Sequence, residues 1–175
     1  MRIKPYQPRD FDDFWKTRVN EWIVRGVRVC IERKVNIGAT TLIFCYIDFF
    51  GSLIKPKAQS RQRFYSMVDN YLGPVNPDYS TYKCKLYEDF RCGLVHEAVM
   101  SKGTGIFRSS DPGDAGYEHM KVYHNALFLD LIQLGDDFVR AIGQLKADID
   151  SDPKKKQRAV KRLRDLGWAL TKEPI

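Results

Sequence analysis

Apolar residues recur every three or four positions along most of the chain, and this periodicity predicts a mainly α-helical protein. The first long helix is expected to begin near Asp10 and to continue to about residue 34. Residues 40–53 are apolar almost all round, a pattern that suits either a buried strand or a buried helix, and their length favours the helix. The expected buried stripe of the first helix is Trp15, Val19, Trp22, Ile23, Gly26 and Cys30.

Two shorter helices are predicted next, each begun by a side chain that can accept hydrogen bonds from the first helical amides. Ser60 is expected to cap the first of them and Asp78 the second. The apolar positions of the first are Phe64, Met67, Val68, Tyr71 and Leu72. The inner face of the second is formed by Tyr82, Leu86, Phe90 and Leu94.

Helical periodicity lapses over about residues 101–124, where glycine, serine, aspartate and proline predict turns. Within this insertion, Ile106 and Phe107 are expected to pair with residues 120–123 as a small hairpin. A strong helix should follow, with apolar residues from Leu127 to Ile149 alternating four and three apart.

The end of the chain predicts a basic helix over about residues 153–166, opened by Asp152 as N-cap and Pro153 at the first helical position. Residues 1–175 are therefore expected to form one domain. Its predicted fold class is mainly α, a bundle of five to six helices with a small loop or β-hairpin insertion.

The composition is that of a globular protein, with 43% hydrophobic residues in a chain of 175. Four cysteines without a CxxC pair fit a reducing compartment, which predicts a cytoplasmic protein. The longest apolar run, residues 42–50, contains Asp48 and is too short to span a bilayer, so no membrane association is expected.

The charge balance favours an anionic partner, because 29 Lys and Arg against 22 Asp and Glu give a formal net charge of +7. The predicted C-terminal helix is the most basic segment. It either binds phosphate backbones without sequence preference or is simply a solvated helix face. Its seven cations are Lys154, Lys155, Lys156, Arg158, Lys161, Arg162 and Arg164.

Two of the three histidines, His119 and His124, lie in the turn-rich insertion without the spacing of metal ligands, and are expected to be exposed or to serve packing. No metal and no cofactor are predicted. The Gly103–Gly105 segment lacks the lysine of a phosphate-binding loop, and no hydrolase or kinase signature is present.

Arg91 and His96 are the candidate catalytic residues, since they combine two complementary chemistries on one predicted helix. A guanidinium grips a phosphodiester, and an imidazole moves a proton near neutral pH. Together they could cleave RNA without a metal ion by assisting attack of the 2′-hydroxyl, which DNA lacks. Asp48 and Glu97 are candidate supporting acids; Asp48 alternatively forms a structural salt bridge with an arginine.

The spacing of this pair raises a geometric difficulty. On an ideal α-helix, five residues rotate by about 500°, which leaves the two side chains roughly 140° apart. Convergence would require a bend or end of the helix, for which Gly93 is a natural place, or a site shared by two copies. Alternatively, Arg91 pairs with Asp89 or Glu88 and His96 packs at a helix end.

The segment Leu-Tyr-Glu-Asp-Phe-Arg-Cys-Gly-Leu-Val-His-Glu, residues 86–97, resembles the Arg-x4–6-His motif of HEPN domains. The resemblance implies a helical bundle that dimerises through this region, and in many members a metal-independent ribonuclease that acts as a toxin or in antiviral defence. RNA, a second copy and an antitoxin or regulatory protein are the partners it implies. The family often has asparagine directly after the arginine, where this chain has Cys92.

Two alternatives accompany this interpretation. In the first, the chain is a non-catalytic module of the same fold that binds RNA, nucleotide or a protein partner. In the second, Arg91 forms a buried ion pair with Asp48 and its replacement by alanine unfolds the protein, because a buried acid would lose its partner.

Overall fold

The computed structural model describes residues 7–97, 103–114 and 116–170, without the side chain of Glu97, and shows seven helices and one three-stranded sheet in this part of the chain. The helix α1 covers residues 11–32 and α2 covers Asn36–Ile54. Next come α3 (60–72), α4 (Asp78–Thr81) and α5 (83–97). The last two helices are α6 (Leu131–Ser151) and α7 (Pro153–Asp165), and the strands are β1 (Thr104–Phe107), β2 (Lys121–Tyr123) and β3 (Ala126–Asp130). The prediction of a mainly helical bundle with a small β insertion is confirmed.

Three of the helices contain π-helical stretches, in which each amide bonds the carbonyl five residues earlier and the turn is wider than in an α-helix. These stretches are Trp15–Val24 in α1, Val68–Leu72 in α3 and Leu86–Glu97 in α5. The wider turn changes which residues share a face. Trp22 was expected on the buried stripe of α1 and is instead 62% exposed, so that prediction is wrong.

The apolar run of α2 is a helix, as its length predicted, and it lies at the centre of the bundle. The ring of Phe44 stacks on Phe64 of α3 and on Phe90 of α5, with ring centres 6.0 and 5.6 Å away. By length and composition this helix is apolar enough to cross a membrane, but 56% of its apolar 18-residue stretch is buried inside the protein. Such burial is typical of a core helix.

Backbones of α2 and α3 approach each other closely at Gly51. A Cβ atom placed on Gly51 would lie 2.1 Å from the carbonyl oxygen of Arg63, so only glycine fits there. This close approach brings the first turns of α3 against the middle of α2, where Asp48 lies.

The predicted helix caps have mixed outcomes. Ser60 and Asp78 are each the first residue of their helix, and neither helix has a side-chain cap, so both predictions are wrong. The hydroxyl of Ser60 donates to Asp48 instead. Asp152 does cap α7, since its carboxylate accepts from the amides of Lys154 and Lys155 at 2.8 and 3.4 Å, with Pro153 as the first helical residue.

The insertion folds into a sheet with the strand order β1–β3–β2. The central strand β3 pairs in parallel with β1 and antiparallel with β2 through the turn at His124 and Asn125, both of which have positive φ. The expected pairing of residues 106–107 with 120–123 is therefore wrong. So is the helical assignment of Leu127, which lies in β3, because Asp130 caps α6 and starts it at Leu131.

The C-terminal helices close the core. The apolar stripe predicted for α6 is buried from Leu131 to Ile149, and Val160 and Leu163 of α7 are buried as well. The polar face of α7, which carries the basic residues, is left at the surface.

Candidate active site

The π-helical stretch of α5 brings Arg91 and His96 together within a single chain. Residues five apart are successive hydrogen-bonding partners in a π-helix, so their side chains lie on the same side. The Nη1 atom of Arg91 lies 3.0 Å from Nε2 of His96. Neither a bend at Gly93 nor a second copy is needed for this contact, which corrects the expectation drawn from ideal α-helical geometry.

Arg91 is held in place by the buried carboxylate of Asp48. Its Nη2 atom donates to Oδ2 of Asp48 at 3.1 Å, and the two side chains are only 15% and 10% exposed. The same carboxylate accepts from Nε of Arg63 at 3.0 Å and from the hydroxyl of Ser60 at 2.5 Å. The two alternatives predicted for Asp48 therefore occur together. The carboxylate forms buried salt bridges with arginines, and one of these is the candidate catalytic Arg91.

Arg91 remains charged in this environment. Burial acts to lower the pKa of Arg91, but the Asp48 carboxylate acts in the opposite direction and the net shift is upward. Its guanidinium carbon lies 5.6 Å from the centre of the Tyr87 ring, an additional favourable contact for a cation. The group is thus a fixed positive charge next to His96.

His96 is exposed, and the contact with Arg91 defines which nitrogen carries its proton. A guanidinium has donors only, so Nε2 of His96 must accept, and the neutral ring then carries its proton on Nδ1. The lone pair on Nε2 is the site at which a histidine acts as a general base. Here it lies beside a permanent cation at the protein surface.

The alternative in which Arg91 pairs with its neighbours on α5 is wrong. Asp89 pairs with Lys85 at 2.5 Å, and Glu88 pairs with Arg61 at 3.1 Å. Both acidic residues are therefore engaged elsewhere, and the carboxylate partner of Arg91 comes from α2.

Sequence reasoning missed two residues of this site, Arg63 and Ser60. Both lie in the first turn of α3, three positions apart, and they contact Asp48 because α2 and α3 are close. The serine was assigned to the helix cap, although a buried acid on the preceding helix needed donors. Glu97, the second candidate acid, has its side chain outside the described residues, so its supporting role stays a prediction.

His119 has a different environment, a buried network that links the insertion to the bundle. Its Nδ1 atom accepts from the backbone amide of Asp130 at 3.1 Å, so the neutral ring carries its proton on Nε2. That nitrogen is 2.8 Å from the hydroxyl of Tyr79, which donates to Asp137 at 3.1 Å. Burial lowers the pKa of His119 to about 4, despite the opposing charge of Asp130. This histidine serves packing.

His124 lies exposed in the turn between β2 and β3. Within the described residues, no group of three or more His, Cys, Asp or Glu side chains is arranged to hold a metal ion.

Part of the positive charge of α7 is already neutralised inside the protein. Lys155 pairs with Asp148 at 2.6 Å, and Lys156 lies 3.7 Å from Asp12 and 3.6 Å from Asp150. These two lysines, predicted as nucleic-acid ligands, therefore have acidic partners of their own.

The other cations of α7 are oriented differently. Arg158 donates to the carbonyl of Ile54 at 3.3 Å, and Arg164 to the carbonyl of Leu170 at 3.1 Å, so both guanidinium groups contact neutral acceptors. Four cations form no salt bridge within 7–97, 103–114 and 116–170: Lys154, Arg158, Lys161 and Arg162.

Comparison of the chain with protein-family models, with curated proteins and with solved structures found no match. The case for a function thus depends on the geometry of Arg91, His96 and Asp48 and on the resemblance of residues 86–97 to the HEPN motif.

Proposed function

We propose that this protein is a metal-independent endoribonuclease of HEPN type, in which His96 is the general base and Arg91 the phosphate ligand. The observation that carries the proposal is the 3.0 Å contact between Nη1 of Arg91 and Nε2 of an exposed histidine. A fixed cation lies beside an exposed base of suitable chemistry, which is the minimum that this reaction needs.

The proposed reaction begins when a phosphodiester of RNA approaches Nη1 of Arg91. Its oxygen replaces His96 as the acceptor for that N–H group, so the lone pair on Nε2 becomes free. His96 then takes the proton of the 2′-hydroxyl as the 2′-oxygen bonds to phosphorus. The bond between phosphorus and the 5′-oxygen breaks, and the 5′-oxygen takes a proton from solvent. His96 releases its proton to the solvent in turn, and a 2′,3′-cyclic phosphate remains.

Asp48 has a positioning role in this scheme. It holds Nη2 of Arg91 at 3.1 Å and leaves Nη1 directed to the side of His96. A donor that is fixed before the substrate binds costs no reorganisation when negative charge develops on the phosphate oxygens. Arg63 and Ser60 also donate hydrogen bonds to this buried carboxylate and keep it in place.

The biological setting is proposed from the resemblance. A homodimer would place two Arg–His pairs near each other, and a toxin or phage-defence role in the cytoplasm would follow for a ribonuclease of this kind.

A second candidate function is a non-catalytic module that binds RNA, nucleotide or a protein partner. One observation favours it: both terminal nitrogens of Arg91 have acceptors inside the protein, and its side chain is only 15% exposed. In this alternative Arg91 is structural, and the basic face of α7 provides salt-sensitive binding.

The two functions are distinguished by incubating wild-type, His96→Ala and His124→Asn proteins with mixed RNA in EDTA and separating the products on a denaturing gel. His124→Asn is the matched control, because it also removes an exposed histidine and asparagine tolerates the positive φ at this turn. The proposal predicts cleavage by wild type and the control and none by His96→Ala. No cleavage by any of the three folded proteins would favour the binding module.

A further inference from the structure

A groove of about 770 Å³ runs between the loop that joins α2 to α3 and the exposed side of α7. Five cationic side chains line it, two from the loop and three from the helix, against the single acid Asp165. The five are Lys55, Lys57, Arg158, Lys161 and Arg162. A concave surface with this excess of one charge concentrates field and attracts an anion.

The groove continues into two neighbouring depressions, and Arg158 lines all three. One neighbour, of about 570 Å³, extends along α7 and includes Lys154 and Lys161. The other, of about 370 Å³, extends between α2 and α6 and includes Lys55 together with the Lys155–Asp148 ion pair. We call this connected surface the basic trough. Cations spread over three adjoining depressions suit a chain of charges better than one small anion.

The charges in the basic trough are available to a ligand. Six of its cations have no acidic partner in the part of the chain that the structure describes: Lys55, Lys57, Lys154, Arg158, Lys161 and Arg162. By contrast, Lys155 and Lys156 are paired with acids. The Nε atom of Arg162 is buried without a hydrogen-bond partner in the described residues, which is unfavourable for folding.

We infer that the basic trough binds the sugar–phosphate backbone of an RNA strand, with Lys55 and Lys57 as ligands in addition to Lys154, Arg158, Lys161 and Arg162. That the strand is RNA rests on the proposed function, whereas the binding of a phosphodiester backbone rests on the trough alone. A concave surface fits a strand better than it fits a flat bilayer.

The trough and the candidate active site are connected through the start of α3. Ala58 lines the trough and lies two residues before Ser60, so their Cα atoms are at most about 7 Å apart. The hydroxyl of Ser60 is 2.5 Å from the Asp48 carboxylate that holds Arg91. The loop that lines the trough is thus continuous with the helical turn that holds Asp48 and, through Asp48, Arg91.

The test is fluorescence anisotropy with a labelled single-stranded RNA in EDTA, on the full chain carrying His96→Ala so that the strand survives. Into this protein we would introduce Lys55→Gln and Lys57→Gln together, or Lys16→Gln and Arg25→Gln as the control with the same charge change on exposed positions of α1. The trough variant should bind about tenfold more weakly. Its slope of log affinity against log salt should be smaller by about 1.4, since each phosphate contact on a single strand contributes about 0.7.

Affinity within twofold of the parent in both double variants, with circular dichroism showing both folded, would overturn the inference. So would equal losses in both, which would indicate a response to net charge alone. Tight binding of phosphatidylserine vesicles with no binding of RNA would also overturn it, in favour of a membrane surface.

Binding and cleavage are read separately, so the two proposals fail separately. Salt-sensitive binding that depends on Lys55 and Lys57, in a wild-type protein that cleaves no RNA, supports the trough and overturns the ribonuclease. If wild type cleaves RNA and the affinity for RNA does not depend on Lys55 and Lys57, the ribonuclease is supported and the trough is overturned.

Discussion

His96 and His119 both hydrogen-bond through Nε2, yet the partners of these atoms impose opposite protonation patterns. Nε2 of His96 accepts from Arg91 at the surface, so the lone pair lies at a position that substrate can reach. Nε2 of His119 donates to Tyr79 inside the protein, where its side chain is 3% exposed. One ring carries an accessible base, and the other is fixed in a structural network.

The difference shows that a perturbed histidine is not by itself a catalytic one. The pKa of His119 falls to about 4 because the ring is buried, and all its hydrogen bonds are satisfied within the fold. Burial also raises the pKa of Tyr79 well above its ordinary value, so the phenol stays a donor to Asp137. Access to a ligand separates the two sites more clearly than the strength of their interactions.

The largest expected effect concerns Arg91→Ala, which should reduce RNA cleavage by about 100- to 1000-fold, as loss of a donor to a developing oxyanion does. Stability should change little, because Asp48 keeps the guanidinium of Arg63 and the hydroxyl of Ser60. Cleavage rates in EDTA and thermal unfolding by circular dichroism check the two halves. Unfolding of the variant at ambient temperature would contradict this and support the purely structural alternative.

The second effect is the loss of stability on acidification that His119 imposes. Its pKa lies near 4 in the folded protein and near 6.5 when unfolded, so the unfolded state binds the additional proton between these values. Stability from this group is complete above pH 6.5, falls as pH decreases, and is lost by about pH 4. The full difference amounts to about 3 kcal/mol.

Urea unfolding of wild type and His119→Gln at pH 7 and pH 4.5 measures this contribution. Burial raises the pKa of Asp137, so this carboxyl stabilises the folded state as the pH falls towards 3.8. This effect opposes that of His119 and is present in both proteins. Wild type should therefore lose more stability than the variant on acidification. Equal losses would mean that His119 titrates normally and is not locked in the network.

The third effect comes from a change in the His119–Tyr79–Asp137 network that replaces neither histidine. Tyr79→Phe removes the hydroxyl that joins His119 to Asp137 and leaves a buried donor and a buried acceptor unsatisfied. The expected destabilisation is about 2 kcal/mol, with RNA cleavage by the folded protein unchanged. Chemical denaturation and the gel assay measure the two quantities. A fall in cleavage by the folded variant would show that the two regions are coupled.

The smallest effect is expected at Cys92, where the HEPN pattern often has asparagine. The Cys92 thiol helps to raise the pKa of Arg91, but a thiol is a weak acceptor and Asp48 already fixes the guanidinium. Cys92→Ala should therefore change the cleavage rate by no more than about twofold. A tenfold loss would place Cys92 among the groups that position Arg91.

Helical periodicity was sufficient to predict the bundle, the core helix α2 and the cap at Asp152, because these depend on apolar spacing and local capping chemistry. The sheet was harder to predict. Its central strand β3 is bounded by the His124–Asn125 turn and by the Asp130 cap, and Leu127 and Leu129 alternate inward between them. Since Leu127 also continues the spacing of α6, the helix pattern concealed the strand.

The candidate site was predictable in its residues and not in its geometry. Arg91, His96 and Asp48 could be selected for their chemistry, but the π-helical winding that unites the first two has no simple sequence signal. Contacts between helices, such as those of Ser60 and Arg63 with Asp48, depend on how α2 and α3 pack. The same packing places Lys55 and Lys57 opposite the basic helix.

The most direct test of the proposed chemistry is the chemical nature of the RNA ends produced in EDTA. Mass spectrometry of the fragments from wild-type protein should find 2′,3′-cyclic phosphates, and a substrate with a single 2′-deoxy nucleotide at the cleaved position should stay intact there. His96→Ala should yield no cleavage fragments. Cleavage that requires magnesium, leaves 5′-phosphates or proceeds at the 2′-deoxy position would contradict a base at His96 acting on the 2′-hydroxyl.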